Sequence, residues 1–255
     1  MAKLALFITG AWMHTSSWDK FRSVFAAAGY ETMAPAWPGL DGKPAALRDI
    51  PPATIYGLGL KAITDHYATI IGLLDTAPLL IGHSFGGLIT QLLLGRGLGT
   101  AGIAIDPGPI AGIVPGPVSL LAATPPLFKG PKGTYTLTRA GFGSSFANTV
   151  PAADLPALYD AYVVPTPARI FYEAALMQGT RVEPARRTQP LLITAADRDR
   201  TVTPYLAKAA YGIQRKSPAR TDFRQFADRS HFLCNEAGWE EVAGAARDWA
   251  ASVGA

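Results

Sequence analysis

Gly82-His83-Ser84-Phe85-Gly86 is the stretch of sequence that decides the fold. It follows the apolar run Pro78-Leu79-Leu80-Ile81, which predicts a buried parallel strand, and it precedes the apolar segment 88–94, which predicts a helix ended by Gly95. A serine on such a tight strand-to-helix turn crowds its neighbours, so residues without Cβ are needed two positions before and two positions after it. The pattern therefore predicts a nucleophilic serine at a helix N-terminus, where free backbone N–H groups favour developing negative charge.

Other segments, on both sides of this turn, pair a predicted strand with a polar or glycine-containing loop. Near the start of the chain, the strand Leu4-Ala5-Leu6-Phe7-Ile8 leads into Thr9-Gly10-Ala11-Trp12. The remaining pairs are 30–35 followed by Trp37-Pro38-Gly39-Leu40-Asp41-Gly42, 190–195 followed by Ala196-Asp197-Arg198-Asp199-Arg200-Thr201-Val202, and 223–226 followed by Asp228-Arg229-Ser230-His231-Phe232.

Taken together, these segments resemble the α/β-hydrolase superfamily. Segment 9–12 is similar to the family's oxyanion loop, segment 196–202 to its acid loop, and segment 228–232 to its histidine loop. The resemblance implies an α/β-hydrolase fold with about six mostly parallel strands and helices on both faces, close to the branch of small serine esterases, methylesterases and non-haem haloperoxidase-like enzymes. The chain departs from the family pattern at Thr9, where the family has histidine, and at Ala196, where it has glycine.

Length and composition limit the classes of protein to consider. A chain of 255 residues with 49% hydrophobic residues fits one domain, 1–255, with a large core. A net charge of +4 without clusters of lysine and arginine argues against nucleic-acid binding. Cys234 is the single cysteine, which excludes an internal disulfide framework. No apolar run reaches the roughly 18–20 residues that span a bilayer, so we expect a cytoplasmic protein of undetermined oligomeric state.

The middle of the chain is expected to form a lid. Segment 107–189, which follows the strand ending near Ile105, is rich in proline and glycine. An unstructured loop of that length is implausible in a compact domain, so an inserted lid of short helices over the site is predicted. Helices are predicted at Leu155 to Tyr162 and Ala168 to Gln178 within it, and before it at Trp18 to Ala28, opened by a capping box at Ser16, and at Thr54 to Leu74.

The resemblance assigns a catalytic triad to Ser84, Asp199 and His231, in the chain order that this fold uses. Asp199 has Val202 at the family's spacing, but Asp106, which closes the preceding strand, and the neighbouring Asp197 remain alternatives for the acid. The backbone N–H groups of Ala11 and Phe85 are the implied oxyanion donors. No metal or cofactor is expected.

The substrate pocket is predicted less firmly, because rings at helical spacing also build cores. The lid aromatics line an apolar acyl pocket or form the lid's own core, and His14 is interpreted as a pocket wall rather than a base. The candidate pocket residues are Trp12, Met13, His14, Phe142, Phe146, Tyr159, Tyr162, Phe171 and Tyr172.

These features predict a cofactor-free serine hydrolase of small, apolar carboxylic esters that acts through an acyl-enzyme. Perhydrolase or haloperoxidase-like and lactonase reactions on the same triad are alternatives. Hydroxynitrile lyase activity is disfavoured, since Phe232 and Leu233 follow the histidine where such lyases keep a lysine. A ligand-binding module on a hydrolase scaffold is the alternative from another class.

Overall fold

The structure is a computed structural model that describes residues 3–255. Its strands are β1 Lys3–Ile8, β2 Tyr30–Met33, β3 Leu79–His83, β4 Ala101–Ile105, β5 Thr134–Tyr135, β6 Thr166–Pro167, β7 Leu191–Ala196 and β8 Thr221–Phe226. Six of them form one all-parallel sheet in the order β2-β1-β3-β4-β7-β8. The predicted α/β-hydrolase architecture is thereby confirmed.

Helices cover both faces of this sheet. They are α1 Asp19–Ala27, α2 Pro44–Asp49, α3 Leu60–Gly72, α4 Phe85–Gly95, α5 Pro117–Ala123, α6 Arg139–Gly141, α7 Leu155–Tyr162, α8 Arg169–Ala175, α9 Pro204–Gln214 and α10 Trp239–Ser252. Within residues 3–255, no helix combines the length and the apolar character needed to cross a membrane.

The alternation of side chains along β1 shows how the sheet separates two cores. Leu6 and Ile8 pack into the core that contains α3, α4 and α9, whereas Ala5 and Phe7 pack into the core that contains α1 and α10. The central strands β3, β4 and β7 are buried along their whole length, because helices cover both of their faces. The carboxyl ends of these strands, where the predicted catalytic loops begin, therefore share one edge of the sheet.

The segment between β4 and β7 contains α5 to α8 and the antiparallel pair β5 and β6. Helix α7 has the predicted bounds, but α8 ends at Ala175, three residues before the predicted end. The backbone at Met177 is left-handed, with φ 55°, which a continuing helix cannot adopt. The β5–β6 pair was not predicted, because two-residue strands leave no periodic pattern in the sequence.

Two predicted helix starts differ from the structure. Helix α3 begins at Leu60 rather than Thr54, since Gly57 has φ +71° and Gly59 is the extended residue that precedes the helix. Before α1, a 3₁₀ turn occupies Thr15–Trp18, and its cap is the His14 ring, whose Nδ1 accepts the Ser16 N–H at 3.2 Å. The capping box expected from Ser16 is therefore replaced by a histidine cap.

Candidate active site

Ser84 lies on a strained turn between β3 and α4, with φ 56° and ψ −122°. A Cβ atom on Gly82 would lie 2.1 Å from the carbonyl oxygen of Gly86, and one on Gly86 would lie 2.1 Å from the carbonyl oxygen of Ile8. Because both neighbours are backbone atoms of the sheet and helix, neither can move aside. The two glycines are thus required for the close approach that holds Ser84 at the sheet edge.

The loop after β1 packs directly against this turn. A Cβ atom on Gly10 would lie 2.6 Å from the Ser84 Cβ. Trp12 has φ 65°, and its N–H donates to Thr166 Oγ1 at 2.7 Å, which ties the loop to β6. Phe85 is the first residue of α4, so its N–H has no acceptor within the helix. Ala11 and Phe85 both line the same cavity as Ser84.

His231 and Asp199 form a buried pair on the loops after β8 and β7. His231 Nδ1 lies 2.5 Å from Asp199 Oδ2, and both side chains are fully buried. Asp199 Oδ1 accepts hydrogen bonds from the backbone N–H groups of Thr201, at 2.7 Å, and Val202, at 2.8 Å. Burial lowers the pKa of His231 to about 4, so its ring is neutral near pH 7.

The second ring nitrogen of His231, Nε2, is buried and has no hydrogen-bond partner within residues 3–255. Ser84 and His231 line two different cavities, and the described residues contain no hydrogen bond between Ser84 Oγ and His231 Nε2. His83 lies against the histidine, with ring centroids 4.5 Å apart, and Phe146 covers it edge-on at 4.7 Å. The contact between His83 and His231 was not predicted from the sequence, because the two residues lie far apart in the chain and meet only in the folded protein.

The predicted acid, Asp199, and one of its two alternatives, Asp106, both lie beside His231. Asp106, Asp199 and His231 each offer one ligand atom, and these atoms all lie within 4.8 Å of one another. Only Asp199 hydrogen-bonds the ring. Asp197 lies differently, since its Oδ1 accepts the Arg229 N–H at 3.3 Å.

Such a cluster of two carboxyl groups and one imidazole has the composition of a metal site. In this structure its atoms already have other partners, because Asp199 bonds His231 and the two oxygens of Asp106 bond the Thr194 hydroxyl and the Ala196 N–H. The donor set thus fits an internal hydrogen-bond network better than a metal ion.

A cavity of about 230 Å³ opens beside Ser84. None of the described residues that line it carries a charged side chain. Its walls come from the loop after β1, from the start of α4, from segments 108–127 and 171–177, and from the loop after β7; the larger side chains are Trp12, Phe85, Ile113, Leu120, Leu127, Phe171 and Met177. Trp12 stacks on Phe171 with ring centroids 5.1 Å apart. This cavity suits an apolar group attached to an atom that Ser84 attacks.

Trp12 and Phe171 are the predicted pocket residues that line this cavity. Met13 lines a smaller cavity with His83 and His231, and His14 caps the turn before α1. Phe142 packs on Phe146 and Tyr159, and both Phe142 and Phe146 contact Phe232. Tyr162 lies beside Phe232, and the Tyr172 hydroxyl donates to the Leu127 carbonyl.

Several cavity residues were missed from the sequence, notably Ile113, Leu120, Leu127 and Met177. They are scattered apolar residues in a proline- and glycine-rich segment, where no periodic pattern indicates which face is buried.

The fold and this arrangement agree with the comparison to known families. The model of the alpha/beta hydrolase family matches residues 5–245, and the chain belongs to that family. A search of curated proteins found no match.

Solved structures of similar fold cover a range of activities. A monoacylglycerol lipase from Paleococcus ferrophilus is 16% identical and has a TM-score of 0.71, with 98% of this chain and 94% of that one covered. A thermophilic esterase from Thermogutta terrifontis is 16% identical, with a TM-score of 0.67 and coverage of 99% and 91%. Tomato methylketone synthase I is 12% identical, with a TM-score of 0.66 and coverage of 98% and 97%. At these identities the likeness concerns the fold alone.

Proposed function

We propose that this protein is a serine hydrolase of carboxylic esters with apolar acyl groups. The observation that carries the proposal is that Ser84, on its strained turn at the start of α4, lines an uncharged cavity of about 230 Å³. The buried pair of His231 and Asp199 at the same sheet edge supplies a base and its partner.

In the proposed reaction, Ser84 Oγ attacks the ester carbonyl carbon while His231 Nε2 takes the serine proton. Asp199 accepts the Nδ1–H of the ring and stabilises the imidazolium. The alcohol then leaves with the proton of His231, and the acyl group remains on Ser84. Water attacks this acyl-enzyme, gives one proton back to the ring, and releases the acid and the free serine.

Two features of the free enzyme support these roles. His231 has a pKa lowered by burial, so it is a neutral base at pH 7. Its Nε2 is buried and has no hydrogen-bond partner among residues 3–255, and the bond from a nucleophilic serine often tightens only when substrate is bound.

The negative oxygen of the tetrahedral intermediate needs donors, and we assign this role to the backbone N–H groups of Phe85 and Ala11. Phe85 adds the positive end of the α4 dipole. This chain has Thr9 where the family has histidine, so other contacts must hold the loop after β1. One of them is the hydrogen bond from the Trp12 N–H to Thr166 Oγ1.

We also infer that segment 107–189 acts as a lid. It provides much of the cavity wall, from Gly108 to Met177, and the exposed side chains of Val114 and Leu120 lie at the cavity opening. An apolar entrance favours acyl chains over charged substrates.

The test begins with labelling by a fluorophosphonate probe, compared between the wild type and Ser84→Ala. Labelling of the wild type alone supports an activated serine, whereas no labelling favours a binding module.

Turnover of p-nitrophenyl esters from acetate to laurate then measures the acyl preference. Lactone hydrolysis and peracid formation from hydrogen peroxide, which use the same acyl-enzyme, are assayed beside it. Faster turnover of a dicarboxylate monoester than of its neutral analogue would contradict the apolar assignment.

A further inference from the structure

Asp106 is a buried acid that the proposed reaction does not use. It follows β4, its backbone is left-handed with φ 42°, and it has no exposed surface. The sequence Asp106-Pro107 suggests a turn former, but such a residue usually faces solvent. A fully buried carboxyl group is costly, so its partners must account for it.

Those partners lie on the loop that holds the triad acid. Thr194 Oγ1 lies 3.1 Å from Asp106 Oδ1, and the Ala196 N–H donates to Asp106 Oδ2 at 3.0 Å. One carboxyl oxygen of Asp106 lies within 4.8 Å of one carboxyl oxygen of Asp199. Both groups lie within 4.8 Å of a ring nitrogen of His231.

Two buried carboxylates this close cannot both be ionised, so the pair must hold a proton. Asp199 accepts three hydrogen bonds, two from backbone N–H groups and one from His231, and each stabilises its charged form. Asp106 accepts one from the backbone and shares one with a hydroxyl. Asp199 is therefore the better site for the charge, and Asp106 the better site for the proton.

We infer that Asp106 and Asp199 form one buried carboxylic acid–carboxylate pair, in which Asp106 keeps the proton and donates it in a hydrogen bond to Asp199. Asp106 is thus a positioning residue that orients the triad acid from behind, and this inference rests on the proposed function of Asp199. No proton is lost or gained by the pair during the proposed reaction.

The groups around the pair agree with this assignment. Burial raises the pKa of both acids. The charge of Asp199 raises the pKa of Asp106 further, whereas hydrogen bonds from Asp106 and from the backbone N–H groups of Val202 and Thr201 lower the pKa of Asp199. Burial lowers the pKa values of His231 and His83 and raises that of the Cys234 thiol, so these neighbours are neutral near pH 7. Glu236 is the remaining acid nearby, and it accepts the N–H and hydroxyl of Ser230, each at 2.8 Å. None of these neighbours supplies a positive charge that would ionise Asp106.

The first test is thermal unfolding against pH, which needs no substrate. The unfolded chain releases the Asp106 proton at about pH 4, but the folded chain retains it. The stability contribution of this group is therefore complete below about pH 4 and is lost as pH rises toward the raised folded pKa. Asp106→Asn carries no such proton, and asparagine tolerates the left-handed backbone. The difference in Tm between Asp106→Asn and the wild type should therefore increase, in favour of the variant, by roughly 3–5 °C for each pH unit above about pH 5.

Asp197→Asn is the matched control, because Asp197 lies in the same loop as Asp199 and its side-chain Oδ1 accepts the Arg229 N–H rather than a bond from the buried pair. Its Tm is expected to keep a constant difference from the wild type over this range. If Asp106→Asn also keeps a constant difference, Asp106 is ionised in the folded protein and the inference is wrong.

The second test measures ester hydrolysis. The amide of Asp106→Asn still donates to Asp199 and accepts from Ala196, so kcat should stay within about threefold of the wild type. Asp106→Gly fits the positive φ but removes the donor, and kcat should fall about tenfold or more with KM little changed. Unchanged kcat in a folded Asp106→Gly, or loss of about a hundredfold in Asp106→Asn, would overturn the positioning role.

A chelator separates this network from a metal site. Treatment of the wild type with EDTA is expected to leave both Tm and turnover unchanged, whereas a loss of either would assign the cluster to a bound metal ion. If the wild type hydrolyses no ester, the proposed function fails, and the dependence of Tm on pH still decides the state of the pair.

Discussion

The two carboxyl oxygens of Asp199 have separate tasks: Oδ2 holds His231 Nδ1 at 2.5 Å, while Oδ1 accepts two backbone N–H groups of its own loop. The loop fixes the orientation of the carboxylate, and the carboxylate fixes the tautomer of the ring. When Nδ1 carries the proton that it donates to Asp199, Nε2 carries none, as the base proposed for His231 requires.

Asp199→Asn should therefore cripple turnover. The amide in place of Oδ2 donates to Nδ1 and stabilises the tautomer with the proton on Nε2, which cannot accept the serine proton. We expect kcat to fall by about 10⁴. Steady-state kinetics on a p-nitrophenyl ester measures this effect, with Asp106→Asn losing far less. If the two variants reverse that order, the triad acid belongs to the strand before the lid.

Phe171→Ala should change the acyl preference. Phe171 stacks on Trp12 at 5.1 Å and meets Phe85 edge-on at 5.2 Å in the cavity wall. Removing the ring enlarges the cavity, so the optimum in kcat/KM should move to longer acyl chains. The ester series from acetate to laurate measures the shift.

Phe142→Ala is the control for that variant. Phe142 packs on Phe146, Tyr159 and Phe232 and does not line the cavity. It should lower the free energy of unfolding by about 3–5 kcal/mol without moving the chain-length optimum. A shift in the optimum for this variant would mean that the aromatic cluster takes part in substrate binding.

Gly82→Ala should disrupt the turn that carries Ser84. Its Cβ atom would meet the Gly86 backbone at 2.1 Å, which demands a shift of the strand or the helix. We expect destabilisation of about 1–3 kcal/mol or more, together with loss of probe labelling. Gly95→Ala at the end of the same helix meets nothing within 4 Å and should be neutral or slightly stabilising. Chemical denaturation of both variants tests the contrast, and an undisturbed Gly82→Ala would remove the steric argument.

The parts of this protein that could be predicted from the sequence are those with local causes. Gly82 and Gly86 predict the turn around Ser84, and short apolar runs predict the buried strands. The family resemblance implied about six mostly parallel strands, and the main sheet of the structure has six parallel strands. The neighbours of His231 could not be predicted in the same way. Asp106 and His83 come from strands far from it in the chain and meet it only because parallel strands end at one edge.

Much of the cavity wall could not be predicted from the sequence either, for a different reason. Aromatic residues are prominent in the middle segment, but Phe142 and Tyr159 bury one another in a cluster of their own. Much of the wall is built from aliphatic side chains such as Ile113 and Leu120. Shape complementarity between loops decides which apolar residues face the substrate, and composition carries no information about it.

The dependence of activity on pH follows from the burial of His231. Burial lowers the pKa of the ring to about 4, well below its ordinary value of about 6.5. The base must be neutral, so kcat/KM should be constant near pH 7 and fall only as pH drops through about 4 to 5.

The same pKa shift affects the free energy of unfolding. The unfolded chain takes up the His231 proton from about pH 6.5 downward, whereas the folded chain takes it up only near pH 4. The contribution of His231 to stability is therefore complete above about pH 6.5 and is lost as pH falls toward 4. Profiles of kcat/KM and of urea unfolding at matched pH values measure the two effects, and the unfolding profile identifies any acid inactivation that is due to denaturation. An activity midpoint at or above pH 6.5 in folded protein would show that the charged ring is stabilised in the site, which would contradict the assignment of His231 as a buried neutral base.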